Sequence, residues 1–238
     1  QLAVQLHDTN ARKPDTVSLN KGHKRGKEEE LHFGPGDEAS WRFTLLWEPA
    51  FDAVLNRYLL REVQPHVRIG AVNFRIVEAL ANTGSHPECG SLPVVELEQR
   101  WLRDAADLPT KLTLSFQTPT AFNIGKDGKK RLELLPIPRL IFSTLRKTWR
   151  NLSGYDPGDA FDQWVDEHVQ IERYKLHTET HRIKRQRVMP GFVGDVTFRI
   201  HDEPEALAFL HLLADLSFWT GLGYQTGAGM GQVRVKHG

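Results

Sequence analysis

Gly221-Leu222-Gly223-Tyr224-Gln225-Thr226-Gly227-Ala228-Gly229-Met230-Gly231 is the stretch from which the rest of this chain is best read. Five glycines in eleven residues demand a backbone with several positive φ values, or one that comes very close to a neighbour. The stretch is not a dinucleotide fingerprint. That motif needs a strand before it and a helix after it, whereas here Thr226 takes the place of the third glycine and the flanks are reversed. Nor is it a P-loop, since no Gly-Lys-Ser/Thr follows. Three readings remain: a long turn before an edge strand, an exposed loop whose backbone N–H groups receive phosphates, or a loop pressed against another strand.

The flanks decide the topology. Upstream, Asp202 is a helix cap, Pro204 falls in the first turn, and Leu207, Leu210, Leu213, Ala214 and Phe218 form a helical stripe. Downstream, Gln232–Lys236 reads as a strand with Val233 and Val235 inward. Further back, Leu112, Leu114 and Phe116 alternate in a strand, and Gly125–Lys130 is a basic turn. Pro136 and Pro138 lead into a helix with Ile141, Phe142, Leu145 and Trp149 on one side. Tyr155–Asp166 reads as acidic and irregular, Ile171–Met189 as an exposed hairpin arm, and Val193–Ile200 as a strand. The order is β-α-β-β-α-β, the ferredoxin-like split βαβ arrangement.

The first half repeats part of that order. Gln1–His7 reads as the end of a helix, Thr16–Leu19 as a short strand and Trp41–Trp47 as an alternating strand. Pro49 starts a helix with Phe51, Val54, Leu55, Tyr58 and Leu59 at offsets of a helical stripe, and Val67–Val77 is a strand with Gly70 a bulge. The loop Asn82–Pro93 and a short helix Val94–Arg103 follow. The predicted fold class is α+β, with two tandem ferredoxin-like (RRM-like, βαββαβ) domains over 1–103 and 109–238. The first lacks its N-terminal strand in this sequence, so a strand and most of a helix are expected ahead of Gln1.

Composition excludes several classes. The 238 residues carry 31 Lys+Arg and 30 Asp+Glu, a formal net charge of +1. That is neither a uniformly basic nucleic-acid coat nor an acidic tail. No apolar run approaches the about 18 residues of a membrane span. One cysteine, Cys89, leaves no disulfide scaffold or multi-thiolate zinc site and fits a reducing, cytoplasmic setting. The charge is unevenly placed, however. Lys126–Arg150 is net +6 and Arg173–Arg187 net +5, so 40 residues carry +11 and the other 198 carry −10. Local charge of this kind suits a polyanion, and Trp149, Tyr155, Trp164 and Tyr174 lie close by in sequence as stacking candidates.

The pattern G-h-G-x5-G-h-G, between the last helix and strand of a second ferredoxin-like domain, resembles the RAMP superfamily of CRISPR-associated proteins. Within it the chain is similar to the sixth Cas family, endoribonucleases that cut CRISPR precursor RNA within each repeat. Gly221–Gly231 matches in its glycines and hydrophobic positions. It departs in its spacer: Tyr224–Ala228 holds no Lys or Arg, so phosphate contact would depend on backbone N–H groups, on Gln225 and Thr226, or on basic residues from elsewhere.

The resemblance implies metal-independent cleavage without a cofactor. The ribose 2′-hydroxyl attacks the adjacent phosphate, giving a 2′,3′-cyclic phosphate and a 5′-hydroxyl. By its place after a helix end and before a short loop and strand, His7 is the implied general base or acid. Lys13 is the candidate to stabilise the phosphorane, with Lys21 and His23 as rivals in the Asn20–Lys27 loop. The RNA-binding candidates are Lys129, Lys130, Arg131, Arg139, Arg146, Lys147 and Arg150, then Arg182, Lys184, Arg185 and Arg187 on the hairpin arm. Gly221, Gly223, Gln225, Thr226, Gly229 and Gly231 of the loop join them. Alternation puts Arg185 and Arg187 on one face of the arm and Arg182 and Lys184 on the other.

Competing site signals are weak. Glu28-Glu29-Glu30 lacks metal spacing, His177 and His181 share a strand face two steps apart, and His86 with Cys89 makes only two ligands. The implied partners are CRISPR repeat RNA, as precursor and as processed guide, subunits of a CRISPR effector complex, and a second copy of the chain; a membrane is not among them. The alternatives are a non-catalytic RAMP subunit that binds guide RNA, and a regulatory module for a small anionic ligand.

Overall fold

The computed structural model describes residues 36–60, 66–69, 72–86, 88–102, 108–184, 187–201 and 204–236. Two compact units divide it, Gln1–Pro93 and Val94–Gly238.

In the first unit, Pro49 sits in the first turn of α1 (Glu48–Val54), which continues into a wider π turn over Leu55–Leu59. The expected strand Val67–Val77 is instead a pair of short antiparallel strands, β1 (His66–Ile69) and β2 (Val72–Arg75), with Ile69 opposite Val72; Gly70 lies outside the described residues. Over Trp41–Trp47, Phe43 and Leu45 pack inward, Trp41, Leu46 and Trp47 are exposed, and Thr44 forms an isolated β-bridge in place of the expected strand. Cys89 is buried, and that burial raises its thiol pKa despite the charge of Arg42. Thr16–Leu19 and the helix end at Gln1–His7 lie outside the described residues.

The second unit contains α2 (Val94–Leu102), β3 (Lys111–Thr120), β4 (Phe122–Asn123), β5 (Leu132–Glu133), α3 (Pro138–Ser153), α4 (Asp159–His168), β6 (Val169–Lys184), β7 (Arg187–Ile200), α5 (Pro204–Thr220) and β8 (Val233–Lys236). The chain divides at Pro93, ahead of the expected boundary at 103–109, because α2 packs on α5. Trp101 Nε1 donates to Asp215 Oδ2 at 2.8 Å, and the Trp101 ring stacks on His211 with centroids 5.0 Å apart.

One antiparallel sheet, ordered β6-β7-β3-β8, carries the unit. β3 and β6 run parallel with β7 between them, and β7 and β8 run parallel with β3 between them. With α3 and α5 as the two crossovers, this is the split βαβ order read from the sequence. Leu112, Leu114, Phe116, Val196, Phe198 and Ile200 alternate onto the helix-covered face, where they meet Ile141, Phe142, Leu145 and Trp149 of α3. Phe142 and Phe198 meet edge to face at 5.7 Å. Each such side chain contributes about 1.5–3 kcal/mol. Leu207–Ala214 are all buried, so α5 is buried nearly all round rather than along one stripe. α2 covers the side that a two-layer fold would leave wet.

Two other expectations are corrected. The acidic Tyr155–Asp166 segment contains α4, started after Gly158 (φ 76°) and anchored by buried Phe161 and Val165 one turn apart. The expected hairpin is present as the paired β6 and β7, but β7 begins at Arg187, inside the segment Ile171–Met189 read as one arm, and the pair runs beyond the reach of β3. Past Phe192, which faces Thr120, they continue as a two-stranded ribbon from Glu179↔Gly191 to Lys184↔Arg187.

The other sheet face is polar and internally paired. Thr113 and Thr197 hydroxyls lie 2.9 Å apart, Ser115 Oγ donates to Asp195 Oδ1 at 2.6 Å, and Lys236 Nζ donates to Asp195 Oδ2 at 2.7 Å. Lys236, then Ser115, hold the Asp195 carboxyl below the usual range. A carboxyl whose folded pKa is depressed stabilises the fold above its unfolded pKa of about 3.9, and that stabilisation is lost as pH falls through the folded value. Asp195→Asn is therefore expected to cost about 0.5–1 kcal/mol at pH 7, a half-exposed pair being screened, and to flatten the acid limb of a urea-midpoint against pH curve. An unchanged acid limb would show that the pair contributes nothing.

Candidate nucleic-acid interface

The basic residues of α3 separate by local geometry. Ile141, Phe142, Leu145 and Trp149 turn inward, and Arg146 shares their side, 3% exposed. Arg146 Nε and Nη2 donate to the two oxygens of Asp162 at 2.9 and 3.0 Å, Nη1 donates to Asp156, and Nη2 lies 3.3 Å from Asp159. Burial opposes its charge, and hydrogen bonds to Asp162 and Asp156 more than compensate, leaving its pKa raised. The Gly158 N–H, and then Arg146, hold Asp156 below the usual carboxylate range. Arg146 is thus corrected from an RNA contact to the clamp between α3 and α4. Arg139 pairs with Asp166, and Arg150 Nη1 lies 3.3 Å from Asp156. Lys147 is exposed. Trp149 is 1% exposed and belongs to the core. Trp164 stacks on Phe161 and His168, whereas Tyr155 and Tyr174 are exposed.

The glycine-rich stretch is pressed against the end of β3. Leu222 N–H donates to Gly231 O at 2.8 Å, Tyr224 N–H to Ala121 O at 2.8 Å, Gly231 N–H to Pro119 O at 3.1 Å, and Gln232 N–H to Thr118 Oγ1 at 2.9 Å. Two glycines are fixed by this docking. Gly223 (φ 94°) would place a Cβ 2.5 Å from Ala121 O, and a Cβ on Gly231 (φ 69°) would fall on Leu222 O. Gln225 takes φ 65° ahead of a single 3-10 turn, Thr226–Ala228, and Gly229 (φ 85°) ends it. Gly221 N–H is taken by Ser217 O and Gly229 N–H by Thr226 O. The pressed-turn reading is the observed one for these amides.

Two other elements reach this loop. His181 Nε2 on β6 lies 3.2 Å from Ala228 O. Lys130, in the basic turn between β4 and β5, sits 5.3 Å from the centroid of the Tyr224 ring. Lys126, Lys129, Lys130 and Arg131 are exposed around it. The backbone of the arm brings Arg182, Lys184 and Arg187 to the far end of β6 and β7. Their side chains, and Arg185 entirely, lie outside the described residues. His7, Lys13, Lys21 and His23 also lie outside them. Sequence reasoning missed Tyr224, Met189 and His181 as parts of this corner, since nothing in their spacing marks it. Among the described residues no cluster of three or more His, Cys, Asp or Glu is arranged to hold a metal ion; His177 Nε2 instead meets Glu179 Oε1 at 2.7 Å. No helix among them is long and apolar enough to cross a membrane.

A family model for the CRISPR-associated endoribonuclease Cas6 matches residues 114–233, from the first sheet strand of the second unit to the strand after the glycine loop. The chain belongs to the Cas6 family. A CRISPR-associated endoribonuclease Cas6 of Streptococcus thermophilus is 31% identical over 130 residues, 53% of this chain and 51% of that protein. The chain thus matches about half the length of that curated relative. A solved Cas6 product complex superposes with a TM-score of 0.73 at 25% identity, covering 99% of this chain and 98% of that one. Thermus thermophilus Cas6 superposes with a TM-score of 0.58 at 28% identity over 70% of this chain and 66% of that one. The likeness to the Cas6 product complex runs through both units, and the fold is the tandem ferredoxin-like one. In this Cas6 chain the glycine-rich loop is a ledge set by β3, touched by Lys130 of the basic turn and His181 of β6.

Proposed function

We propose that the chain is an endoribonuclease that processes CRISPR precursor RNA by cutting within each repeat. The observation that carries this reading is the family match over residues 114–233, which spans the glycine loop and the strands that set it. The chemistry needs no metal. The 2′-oxygen bonds to phosphorus as the bond to the 5′-oxygen breaks; a base takes the 2′-hydroxyl proton and an acid returns one to the leaving oxygen. His7 fills one of these roles. Lys13 faces the charge that grows on the phosphorane, with Lys21 and His23 as the alternative donors. In this reading the domain over 1–103 carries the chemistry and that over 109–238 holds the RNA. The exposed turn Lys129, Lys130 and Arg131, the loop residues Gln225 and Thr226, and the arm cations Arg182, Lys184, Arg185 and Arg187 track the phosphates. Processed guide RNA, effector subunits and a second copy of the chain are its further partners, in a reducing cytoplasm.

The test uses the purified protein and its own repeat RNA in EDTA. The expected result is one cut per repeat, with the upstream fragment ending in a 2′,3′-cyclic phosphate and the downstream one in a 5′-hydroxyl. No specific cut overturns the reading. A cut that requires Mg²⁺, or one that leaves a 3′-hydroxyl, overturns the mechanism.

A further inference from the structure

We propose that Lys130, held over the ring of Tyr224, supplies to the glycine-rich loop the phosphate-binding cation that the loop's own spacer lacks, with Tyr224 as its positioning residue. The inference rests on the RNA-processing reading above.

The spacer Tyr224–Ala228 contains no Lys or Arg, yet a cation stands on it. Lys130 Nζ is 5.3 Å from the Tyr224 ring centroid and 2.7 Å from Met189 Sδ. The base of its turn is fixed. Asn123 Oδ1 accepts from Gly125 N–H and Arg131 N–H at 3.2 Å each, and Lys129 N–H donates to Lys126 O at 3.0 Å. The other two elements are equally set. Tyr224 is tied through its N–H to Ala121 O, and Met189, fully buried, pairs across the ribbon with His181, which reaches Ala228 O. The turn, the loop and the arm therefore meet at one ammonium group.

Its partners matter as much as its place. Arg139, Arg146, Arg150, Lys111, Arg199 and Lys236 all meet carboxylates. Lys130 meets a ring face and a thioether, neither of which carries a negative charge, and among the described residues it makes no ion pair. A ring face holds an ammonium without neutralising it. A lysine positioned in this way keeps its full charge for an incoming anion and loses less side-chain freedom when the anion binds. Lys129 next to it is equally exposed, but among the described residues its side chain meets neither a ring face nor a thioether. The anion class that fits a single point cation beside a ledge of backbone is a backbone phosphodiester rather than a base edge.

The test is a set of repeat-RNA binding isotherms at several salt concentrations, with melting curves to confirm folding and the EDTA cleavage assay alongside. Lys130→Gln is expected to weaken binding about tenfold and to reduce the slope of log K against log salt by about 0.7–0.9, the signature of one lost phosphate contact. Tyr224→Leu should weaken binding about two- to five-fold, Tyr224→Phe should not, and Tyr224→Leu should have no further effect when Lys130 is already Gln. A slope unchanged in Lys130→Gln overturns the cation assignment. Additive effects of the two changes, or a loss in Tyr224→Phe equal to that in Tyr224→Leu, overturn the positioning role. A wild-type protein that binds the RNA with the expected slopes but does not cut it overturns the processing reading while supporting the cation; one that does not bind it overturns both.

Discussion

Arg146→Met is expected to destabilise the second unit by about 3–5 kcal/mol, the largest stability loss of any single change to the basic segments. The guanidinium is 3% exposed and holds Asp162, itself 6% exposed, through two parallel hydrogen bonds. Methionine fills much of the same volume, so the packing around Ile141, Leu145 and Trp149 survives. What fails is the electrostatics: Asp162 is left as a buried carboxylate without its cation, and must either remain charged at high desolvation cost or take up a proton. Two further variants separate this from a generic core defect. Arg146→Met with Asp162→Leu removes both charges and is expected to recover most of the loss, whereas Arg150→Met, whose pair is half exposed, should change stability by less than about 1 kcal/mol. Urea unfolding at pH 7 measures all three. Equal losses in Arg146→Met and in the double variant would show that shape, not charge, is what Arg146 contributes.

His7→Ala is expected to lower the single-turnover rate of repeat cleavage by about 10²–10⁴-fold while leaving the affinity for the RNA within about twofold. Removing a proton-transfer group takes away stabilisation present only in the transition state, so the rate falls and binding does not. If His7 serves as described, the wild-type rate follows a titration near neutrality and the variant's does not. Lys13→Ala should show a smaller loss without changing the pH profile, since a lysine near the phosphorane acts by charge rather than by proton transfer. A His7→Ala protein that cuts at the wild-type rate would overturn the assignment of His7.

The second unit was legible because its signals are local and periodic. Leu112, Leu114 and Phe116 alternate, Ile141, Phe142, Leu145 and Trp149 recur at helical spacing, and prolines stand at the helix starts. Those patterns, with the glycine stretch, led to the strand order that the sheet shows. α4 was not legible, because its apolar residues, Ala160, Phe161, Trp164 and Val165, span little more than one turn, and Asp159, Asp162, Asp166 and Glu167 break up the pattern. The role of Arg146 was hidden for a related reason. A charge on the apolar side of a helix reads as a surface residue until its partners are known, and Asp156 and Asp162 come from the segment read as irregular. The missed signal was the pairing of an aspartate-rich stretch with an arginine-rich helix immediately before it. The corner at Lys130 could not be read at all, because it joins a turn, a loop and a ribbon that are distant in sequence. Trp41–Trp47 shows the opposite case, a clear alternation in sequence that yields only the isolated bridge at Thr44.

The pairing of β3 with β8 has a consequence for when this protein can work. Phe116 faces Val233 and Leu114 faces Val235, so an internal strand of the sheet waits for a strand that lies beyond the whole β6–β7 hairpin and α5 in the chain. Contacts of such long separation form late, because the loop they close is costly in entropy. The glycine ledge is held by that closure, through Gly231 and Gln232 on the threshold of β8. During synthesis the arm and the basic turn emerge before the ledge can take its shape. A nascent chain on the ribosome therefore displays these cations as loose charge until β8 has been made, and the phosphate-binding ledge proposed above takes its shape only then.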